Sequence, residues 1–372
     1  MKTLGLYPDT RFLSIRRGFT LVELLVVIAI IGTLVGLLLP AVQSARAASR
    51  NMACVSNMKQ LAMGLLSYES ANRGFPPLAI ATDDMNGNST RIPYGTEIVW
   101  SGFYGWGSLI LPFIEESPLY TALNPIKGQP GPATSAQKYA LAQTKLPVFR
   151  CPEDDGPDLM EYEAGKTYLF TNMYASGAGP GTPGAALSNY VAANRAVGAV
   201  PLGFSPAGSP SSACTTKADP KRGGFIFATM TSFKDLTDGS SSTIALGERG
   251  YIRTPRAGGT MVPSQSSLAG TWVGGGQPVT SAVPADGQMD QSVGLAPTRT
   301  INSISRTYRT LSSLHPAGGV NTIAFDGSYH FVSQNIEHNI TITTKNLEYT
   351  DPVDSVFERL IAVGDGGVTS FE

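Results

Sequence analysis

The chain has 372 residues, which is enough for one large domain and an anchoring segment. Its formal net charge is -1, so it lacks the excess positive charge that nucleic-acid-binding proteins use, and no nucleic-acid partner is expected. Only 15% of the residues are charged, while 41 glycines and 26 prolines indicate many turns and a loop-rich, β-rich head. Three cysteines exclude a disulfide-dense scaffold, and three histidines leave little room for a multi-histidine metal centre, so we expect no metal and no cofactor.

The N-terminal residues have the features of a membrane anchor. A basic leader, residues 1–18, precedes an apolar stretch from Phe19 to Leu39 that matches the roughly 20 residues a helix needs to cross a bilayer. This stretch is longer than the apolar core of a cleaved signal peptide, which has about 7–15 residues. Because basic residues are densest in the leader, we predict a single-pass protein of the inner (cytoplasmic) membrane, with the leader in the cytoplasm and the head outside.

Glu23 is the one ionisable residue in the apolar stretch. A carboxylate inside a membrane segment costs about 2.5–3.5 kcal/mol on insertion scales and usually marks a function. If the chain were cut after Gly18, the new ammonium group of Phe19 would lie one helical turn from Glu23, and the two charges could neutralise each other within or between subunits. The alternative is that Glu23 lies near the interface and extends its carboxylate to water.

The sequence Arg-Arg-Gly-Phe-Thr-Leu-Val-Glu at residues 16–23, followed by the apolar run, resembles the prepilin-type cleavage and methylation segment. Type IV pilins and type II secretion pseudopilins share this segment. The resemblance implies that a prepilin peptidase cuts between Gly18 and Phe19 and methylates Phe19. It also places Glu23 at the assembly glutamate and Pro40 at the helix-kinking proline, with the membrane and other pilin-like subunits as partners.

An apolar stripe continues the helical pattern beyond Pro40, and a Gly-Phe-Pro-Pro segment at residues 74–77 ends it. We therefore predict an α+β protein: a long N-terminal transmembrane helix spine packed on an antiparallel β-rich, loop-rich head. Its segments are the leader (1–18), a pilin-like helix (19–70, with 19–39 in the membrane) and an extracytoplasmic head (71–372). The stripe, at steps of three and four, is Cys54, Met58, Leu61, Leu65 and Tyr68.

The head contains local signals for strands and turns. The clearest predicted strands cover residues 224–228, 243–247, 270–274 and 321–325. The last of these leads through Asp326-Gly327, a strong hairpin signal, into a returning strand at 328–333. Residues 108–120 predict a short amphipathic helix broken by Pro112 and Pro118, and residues 354–363 predict a second short helix. Loops are expected at 128–137, 173–184, 201–220 and 256–265.

A second resemblance covers the head. Segments at 54–61, 74–77, 149–152, 188–190 and 237–244, with a C-terminal His-Pro…Asp-Gly-Ser, resemble a large prepilin-anchored family of unknown function. Heads of that family end in a His, nine-residue, Asp-Gly box. Here His315 and Asp326 enclose one residue more, so a bulge or looser loop is expected around Gly318-Gly319.

The resembled motifs also contain two of the three cysteines. On that basis, and because the head would face an oxidising compartment, we predict a Cys54–Cys151 disulfide that joins the helix to the head, with Cys214 free. The alternative is that Cys54 is a small core residue of the apolar stripe. The box itself, His315 with Asp326 and Gly327, could form a metal or catalytic pair, but turn chemistry suffices for Asp-Gly, and we expect a structural role.

Other motifs are weaker. Acidic turns at residues 83–88 and 153–158 resemble calcium loops but lack the closing glutamate of a twelve-residue loop, so solvated turns are expected. Ser-x-x-Lys at Ser56 and Ser135 lacks its partner motifs, and the Gly-x-Gly-x-x-Gly at 179–184 contains two prolines that prevent a helix start. We expect no enzyme and assign no catalytic residue.

These observations favour a pilin-like or pseudopilin-like structural or interaction protein of the cell envelope, assembled through its N-terminal helix. A tethered extracytoplasmic module that binds a saccharide or cell-wall polymer is the alternative. Aromatic residues at Trp100, Tyr104 and Trp106 could stack on sugars, although a buried aromatic core accounts for them equally well. A hydrolase would have to rely on the three histidines, His315, His330 and His338, with scattered acids.

Overall fold

The protein's computed structural model describes residues 20–81, 92–94, 97–99, 103–125, 135–160, 184–196, 222–226, 229–251, 253–255, 261–263, 270–275, 294–295, 300–302, 310–339, 353–367 and 371. They combine one long helix with short helices and mainly antiparallel strands, so the predicted α+β fold is confirmed. The chain divides into two compact units, Met1–Ala48 and Ser49–Glu372. The leader, Gly18 and Phe19 lie outside the described residues.

The long helix, α1, covers Leu21–Asn72 and continues through Pro40. It ends where Arg73 takes a left-handed backbone conformation, φ 62°, and the amide groups of Arg73 and Gly74 donate to the carbonyl of Glu69. The side chains of its first half are exposed and almost all apolar. By length and composition, this helix could cross a membrane.

The second half of α1 buries the predicted stripe. Cys54, Met58, Leu61 and Leu65 are at most 2% exposed and belong to the main hydrophobic core. Tyr68 is partly buried and meets the ring of Phe113 edge-on, with ring centroids 5.7 Å apart. The periodicity of the sequence therefore identified the buried face correctly, because residues three and four apart share one face of a helix.

The described part of the head is built from short strands and helices. The strands are β1 (Ala79–Ala81), β2 (Ile92–Tyr94), β3 (Glu97–Val99), β4 (Phe103–Gly105), β5 (Leu187–Ser188), β6 (Tyr190–Ala193), β7 (Ile244–Glu248), β8 (Arg253–Pro255), β9 (Met261–Pro263), β10 (Gly270–Thr271), β11 (Gly274–Gly275), β12 (Gly294–Leu295), β13 (Gly319–Ala324) and β14 (Tyr329–Ser333). The helices are α2 (Trp106–Leu109), α3 (Ser117–Leu123), α4 (Ser135–Ala142) and α5 (Val356–Arg359), with 3₁₀ turns at Leu111–Ile114, Pro147–Phe149 and Phe233–Asp235.

Five strands form a central sheet in the order β12-β6-β7-β13-β14, and all neighbours except β12 and β6 are antiparallel. Alternate residues of β6 face opposite sides of the sheet. Tyr190 and Ala192 join the core that contains the α1 stripe, while Val191 and Ala193 join a second core. The second core also takes side chains from α5 and the residues after it: Phe357, Leu360, Ile361 and Ala362.

Some local predictions are confirmed and others need correction. The helix expected at 108–120 is broken at Pro112 and Pro118 as predicted: it consists of α2, a 3₁₀ turn and α3, and each proline lies in the first turn of a new helical segment. Parts of two expected loops are regular: α4 begins at Ser135, and β9 occupies 261–263. Among the described residues β8 and β9 form a two-stranded ribbon, in which a proline at the end of a strand is tolerated. The strand expected at 270–274 is split into β10 and β11, and the segment 224–226 contributes only an isolated bridge from Ile226.

Candidate functional site

The resembled motifs converge where α1 meets the head. Cys54 of α1 and Cys151 form a disulfide with Cα atoms 4.7 Å apart, and both residues are buried. The structure thus joins the two cysteines that the resemblance paired, while Cys214 lies outside the described residues. The disulfide connects the helix covalently to the segment that follows the 3₁₀ turn Pro147–Phe149.

Side chains from the other motifs hold both ends of this disulfide. The Asn189 Oδ1 atom accepts the amide of Cys151 at 3.0 Å, and the Tyr190 hydroxyl donates to the carbonyl of Cys54 at 3.2 Å. On the helix, Asn57 donates through Nδ2 to the carbonyl of Arg150 at 2.8 Å. The motifs that looked unrelated along the chain therefore form one junction between the helix and the head.

A polar cluster lies next to the disulfide and consists of Asn51, Glu248, His315 and Asn321. The Nε2 atom of His315 is 3.0 Å from Oε1 of Glu248, and each side chain is 2% exposed. Glu248 ends β7, and its Oε2 atom accepts the amide of Asn321 at 2.8 Å. Because β13 pairs with β7, the carboxylate of Glu248 lies beside Asn321.

The Nε2 atom of His315 lies 3.0 Å from Oε1 of Glu248 and 3.1 Å from Nδ2 of Asn321, and the other contacts of Asn321 favour a hydrogen on Nε2. The Nδ2 atom of Asn321 reaches Oδ1 of Asn51 at 2.8 Å and Oε1 of Glu248 at 3.0 Å, and these acceptors use its two hydrogens. The Nε2 atom of His315 therefore carries a hydrogen and donates to Glu248. The Tyr329 hydroxyl donates to Oδ1 of Asn321 at 2.8 Å and completes the network.

Glu248 also controls the charge of His315. Burial by itself would lower the pKa of His315, but the hydrogen bond to Glu248 and the negative charges of Glu248 and Glu153 outweigh burial and raise that pKa above its ordinary value. Burial has the opposite effect on Tyr190: it raises the pKa of the hydroxyl well above its usual value, so this group stays a neutral donor.

The cluster also contains groups suited to binding a metal. The Nε2 atom of His315 lies 3.8 Å from Sγ of Cys151. One donor atom from each of Cys54, Cys151, Glu248 and His315 lies within 4.8 Å of the others. The Nδ1 atom of His315 is buried and has no hydrogen-bond partner among the residues that the structure describes.

The structure does not bring Asp326 to His315. These residues flank β13, whose six residues span about 20 Å. Asp326 belongs to the hairpin turn, where its Oδ1 atom accepts the amide and the hydroxyl of Ser328 at 2.8 and 2.6 Å. Gly327 has φ +85°, a conformation that glycine adopts without strain. The box therefore marks two separate structural positions, a cluster residue and a turn.

The segment between His315 and Asp326 contains two irregular positions. Gly318 has φ +69° and its amide donates to the carbonyl of His315 at 3.2 Å, which closes a turn where a looser loop was expected. A shift in strand register lies further along, between Ile323 and Ala324 opposite β7. The turn and the register shift lie at opposite ends of β13.

Other sequence candidates have structural partners. In the second acidic turn, Asp154 accepts the amides of Gly156 and Tyr251, both at 2.8 Å. Glu153 pairs with Arg50, and the Lys145 ammonium lies 2.8 Å from Asp158. The first acidic turn, 83–88, and the glycine motif lie outside the described residues, apart from Gly184.

The aromatic residues considered for sugar stacking belong to the core. Tyr104 is 2% exposed and Trp106 is 1% exposed, and Trp106 packs against Phe149. These rings therefore have no open face for a sugar, and Trp100 lies outside the described residues. The remaining histidines are also in packed positions: His330 stacks on Phe371, and His338 meets Phe357 edge-on.

At the start of α1, the structure gives Glu23 a partner that the sequence analysis missed. Its Oε2 atom accepts the amide and the hydroxyl of Thr20, each at 2.9 Å, and the hydroxyl of Thr20 in turn accepts the amide of Glu23 at 3.2 Å. This reciprocal arrangement is a capping box. Threonine three residues before glutamate is its sequence signal, so it could have been recognised from the pattern alone.

The exposed apolar helix and the head that carries its second half define a pilin-like, membrane-anchored class of protein. Comparison with known families agrees with this description. Residues 13–39 match the model for the prokaryotic N-terminal methylation motif. Residues 43–339, most of the chain, match the family described as "Protein of unknown function (DUF1559)", and the chain belongs to this family. No curated protein and no solved structure matched the chain.

Proposed function

We propose that this protein is a pilin-like structural subunit of the cell envelope, processed by prepilin peptidase and assembled with similar subunits through α1. The observation that carries the proposal is the helix itself. Its side chains from Leu21 to Leu39 are exposed, and the methylation motif covers the same residues. An apolar surface of this length is stable in a bilayer or against other helices, and not in water.

The junction with the head supports a mechanical role for this helix. The Cys54–Cys151 disulfide and the hydrogen bond from Asn321 to Asn51 fix the second half of α1 to the head. A force applied along the helix would therefore be transmitted to the central sheet through a covalent bond. A subunit that is extracted from the membrane or packed into a filament needs this connection.

The proposal assigns no catalytic role to the head. His315, the residue that a hydrolase would most plausibly use, is buried, and its Nε2 atom is hydrogen-bonded to Glu248. The burial of Tyr104 and Trp106 also takes two of the three aromatic residues that suggested a saccharide-binding module away from the surface. The proposed topology places the leader in the cytoplasm and the head outside the inner membrane.

The mass of the N-terminal peptide of protein recovered from membranes tests the proposal. Processing predicts a peptide that starts at N-methylated Phe19. An intact Met1 leader in the mature protein would contradict processing and would leave α1 as a plain anchor. A tethered binding module would then become the better explanation.

Assembly requires a second measurement, because a processed subunit could remain a monomer. Crosslinking through cysteines introduced on the exposed face of α1 in membranes should capture homotypic or heterotypic helix pairs. A Leu37→Cys variant is suitable, since Leu37 is 77% exposed. Met63→Cys is the matched control: Met63 is 66% exposed, but it lies beyond the apolar stretch. Equal crosslinking at both positions would contradict assembly through the apolar half.

A further inference from the structure

The junction between α1 and the head holds a set of donor atoms that the proposed function does not use. The Sγ atoms of Cys54 and Cys151, a carboxylate oxygen of Glu248 and a ring nitrogen of His315 all lie within 4.8 Å of one another. All four residues are buried. Two thiolates, an imidazole and a carboxylate are ligand types that zinc accepts in four-coordinate protein sites.

The separations are close to those of a tetrahedral zinc site. With Zn–S near 2.3 Å and Zn–N or Zn–O near 2.0–2.1 Å, neighbouring ligand atoms lie about 3.3–3.8 Å apart. The Nε2 atom of His315 is already 3.8 Å from Sγ of Cys151 and 3.0 Å from Oε1 of Glu248. Forming the site requires the two bonded sulfur atoms to move apart by side-chain rotation, and donor atoms separated by up to 4.8 Å to approach by about 1 Å.

The surroundings of these groups also fit a metal site. Asn321 hydrogen-bonds both oxygens of the Glu248 carboxylate and so orients it, which is the role that residues behind the ligands play in metal sites. The His315 side chain is only 2% exposed, and its Nδ1 atom has no partner among the described residues, so this nitrogen does not hold the ring in place. The imidazole is thus held through its Nε2 contacts, and a bound metal would replace them.

We propose that the junction has two mutually exclusive forms: the Cys54–Cys151 disulfide and, after reduction, a zinc site formed by Cys54, Cys151, Glu248 and His315. A dithiol reductant passes two electrons and two protons to the disulfide, which gives two thiols, while the reductant becomes a disulfide. Binding of Zn²⁺ displaces the two thiol protons to solvent. The hydrogen on Nε2 of His315 also leaves that atom, so the neutral imidazole carries its hydrogen on Nδ1 in the bound form, and the zinc keeps its oxidation state. Either form connects α1 to the segment of Cys151.

Metal titration of the full-length chain in detergent micelles tests this proposal. The chain is reduced with a phosphine, which water and the disulfide convert to its oxide, and is then titrated anaerobically with cobalt(II). We expect one cobalt ion per chain, with the thiolate charge-transfer and visible bands of tetrahedral cobalt, and full displacement by one zinc ion. The oxidised chain should show none of these bands.

Variants distinguish this site from metal bound to exposed thiols. His315→Gln and Glu248→Gln should each weaken cobalt binding at least about 10-fold, since each removes one ligand. Cys214→Ser and His330→Gln are the matched controls and should bind as the natural chain does. If His315→Gln and Glu248→Gln bound cobalt as tightly as the natural chain, or if the reduced natural chain showed no stoichiometric binding, the proposal would be overturned.

X-ray absorption at the zinc edge gives an answer that needs no variant. The reduced natural chain with one equivalent of zinc should show two sulfur and two nitrogen or oxygen neighbours. A zinc ion with fewer than two sulfur neighbours would overturn the proposed ligand set, even if both variants failed to fold.

Discussion

The Nε2 atom of His315 lies 3.0 Å from Oε1 of Glu248, although 66 residues separate the two in the chain and each side chain is 2% exposed. Removing one partner of a buried pair leaves an uncompensated charge or donor and costs about 3–5 kcal/mol. We therefore expect Glu248→Gln to lower the free energy of unfolding by an amount in this range, measured by urea denaturation of the oxidised protein.

An exposed ion pair provides the control for that measurement. Lys145 and Asp158 lie 2.8 Å apart, but their side chains are 62% and 55% exposed. Exposed pairs contribute about 0–1 kcal/mol, so Asp158→Asn should change the free energy of unfolding by less than about 1 kcal/mol. Equal losses in the Glu248 and Asp158 variants would mean that burial of the pair is unimportant.

The Cys54–Cys151 disulfide limits the number of free thiols that we expect in the untreated protein. Without reductant, alkylation followed by mass spectrometry should modify at most one of the three cysteines, and the modified residue should be Cys214. With reductant, all three should react. Three modified residues in the untreated protein would contradict the Cys54–Cys151 bond.

A pair of substitutions distinguishes two explanations for the presence of Glu23 in the apolar stretch. If its charge neutralises the ammonium group of a processed Phe19, then Glu23→Gln and Glu23→Ala should both leave processing intact and abolish incorporation into isolated assemblies. If the capping box with Thr20 is what matters, glutamine should retain function, because its side chain can accept the same hydrogen bonds. Normal incorporation of both variants would exclude both roles.

We expect the buried side chain of His338 to make the stability of the protein depend on pH. Burial lowers the pKa of His338 to about 4, while the charge of Asp354 partly opposes this shift. Below about pH 6.5 the unfolded chain binds a proton at this position that the folded chain does not bind, so the free energy of unfolding falls as the pH drops from about 6.5 to about 4.

The magnitude of this effect is on the order of 3 kcal/mol, and His338→Gln isolates it from the other titrating groups. Between pH 6.5 and pH 4, the variant should lose less stability than the natural chain in parallel denaturation curves. Glu358, whose carboxylate lies 3.8 Å from Nε2 of His338, acts in the opposite direction, because burial raises its pKa. Identical pH profiles for the two proteins would contradict the shift in His338.

The packing of α1 gives a prediction with a control on the same helix. Leu61 is fully buried, so Leu61→Ala should cost about 2–5 kcal/mol in the free energy of unfolding. Met63, two residues further on, is 66% exposed, and Met63→Ala should cost much less. Similar losses in the two variants would mean that the apolar stripe does not face the core in solution.

The sequence by itself determined the features that depend on local pattern. The apolar run before Leu39, the stripe from Cys54 to Leu65 and the hairpin at Asp326-Gly327 could be predicted, because spacing along a helix and turn chemistry are set by neighbouring residues. The capping box of Thr20 and Glu23 belongs to the same class, although its signal was overlooked.

Only the tertiary structure decided which distant polar groups meet. Glu248, Asn321 and Asn51 carry no local signal, and the pairing of β7 with β13 together with the docking of α1 brings them to His315. The same holds for Tyr104, whose ring could have faced solvent but lies in the core. The physical reason is that a buried carboxylate or imidazole is stable only beside specific partners, and those partners come from segments that are far apart in the chain.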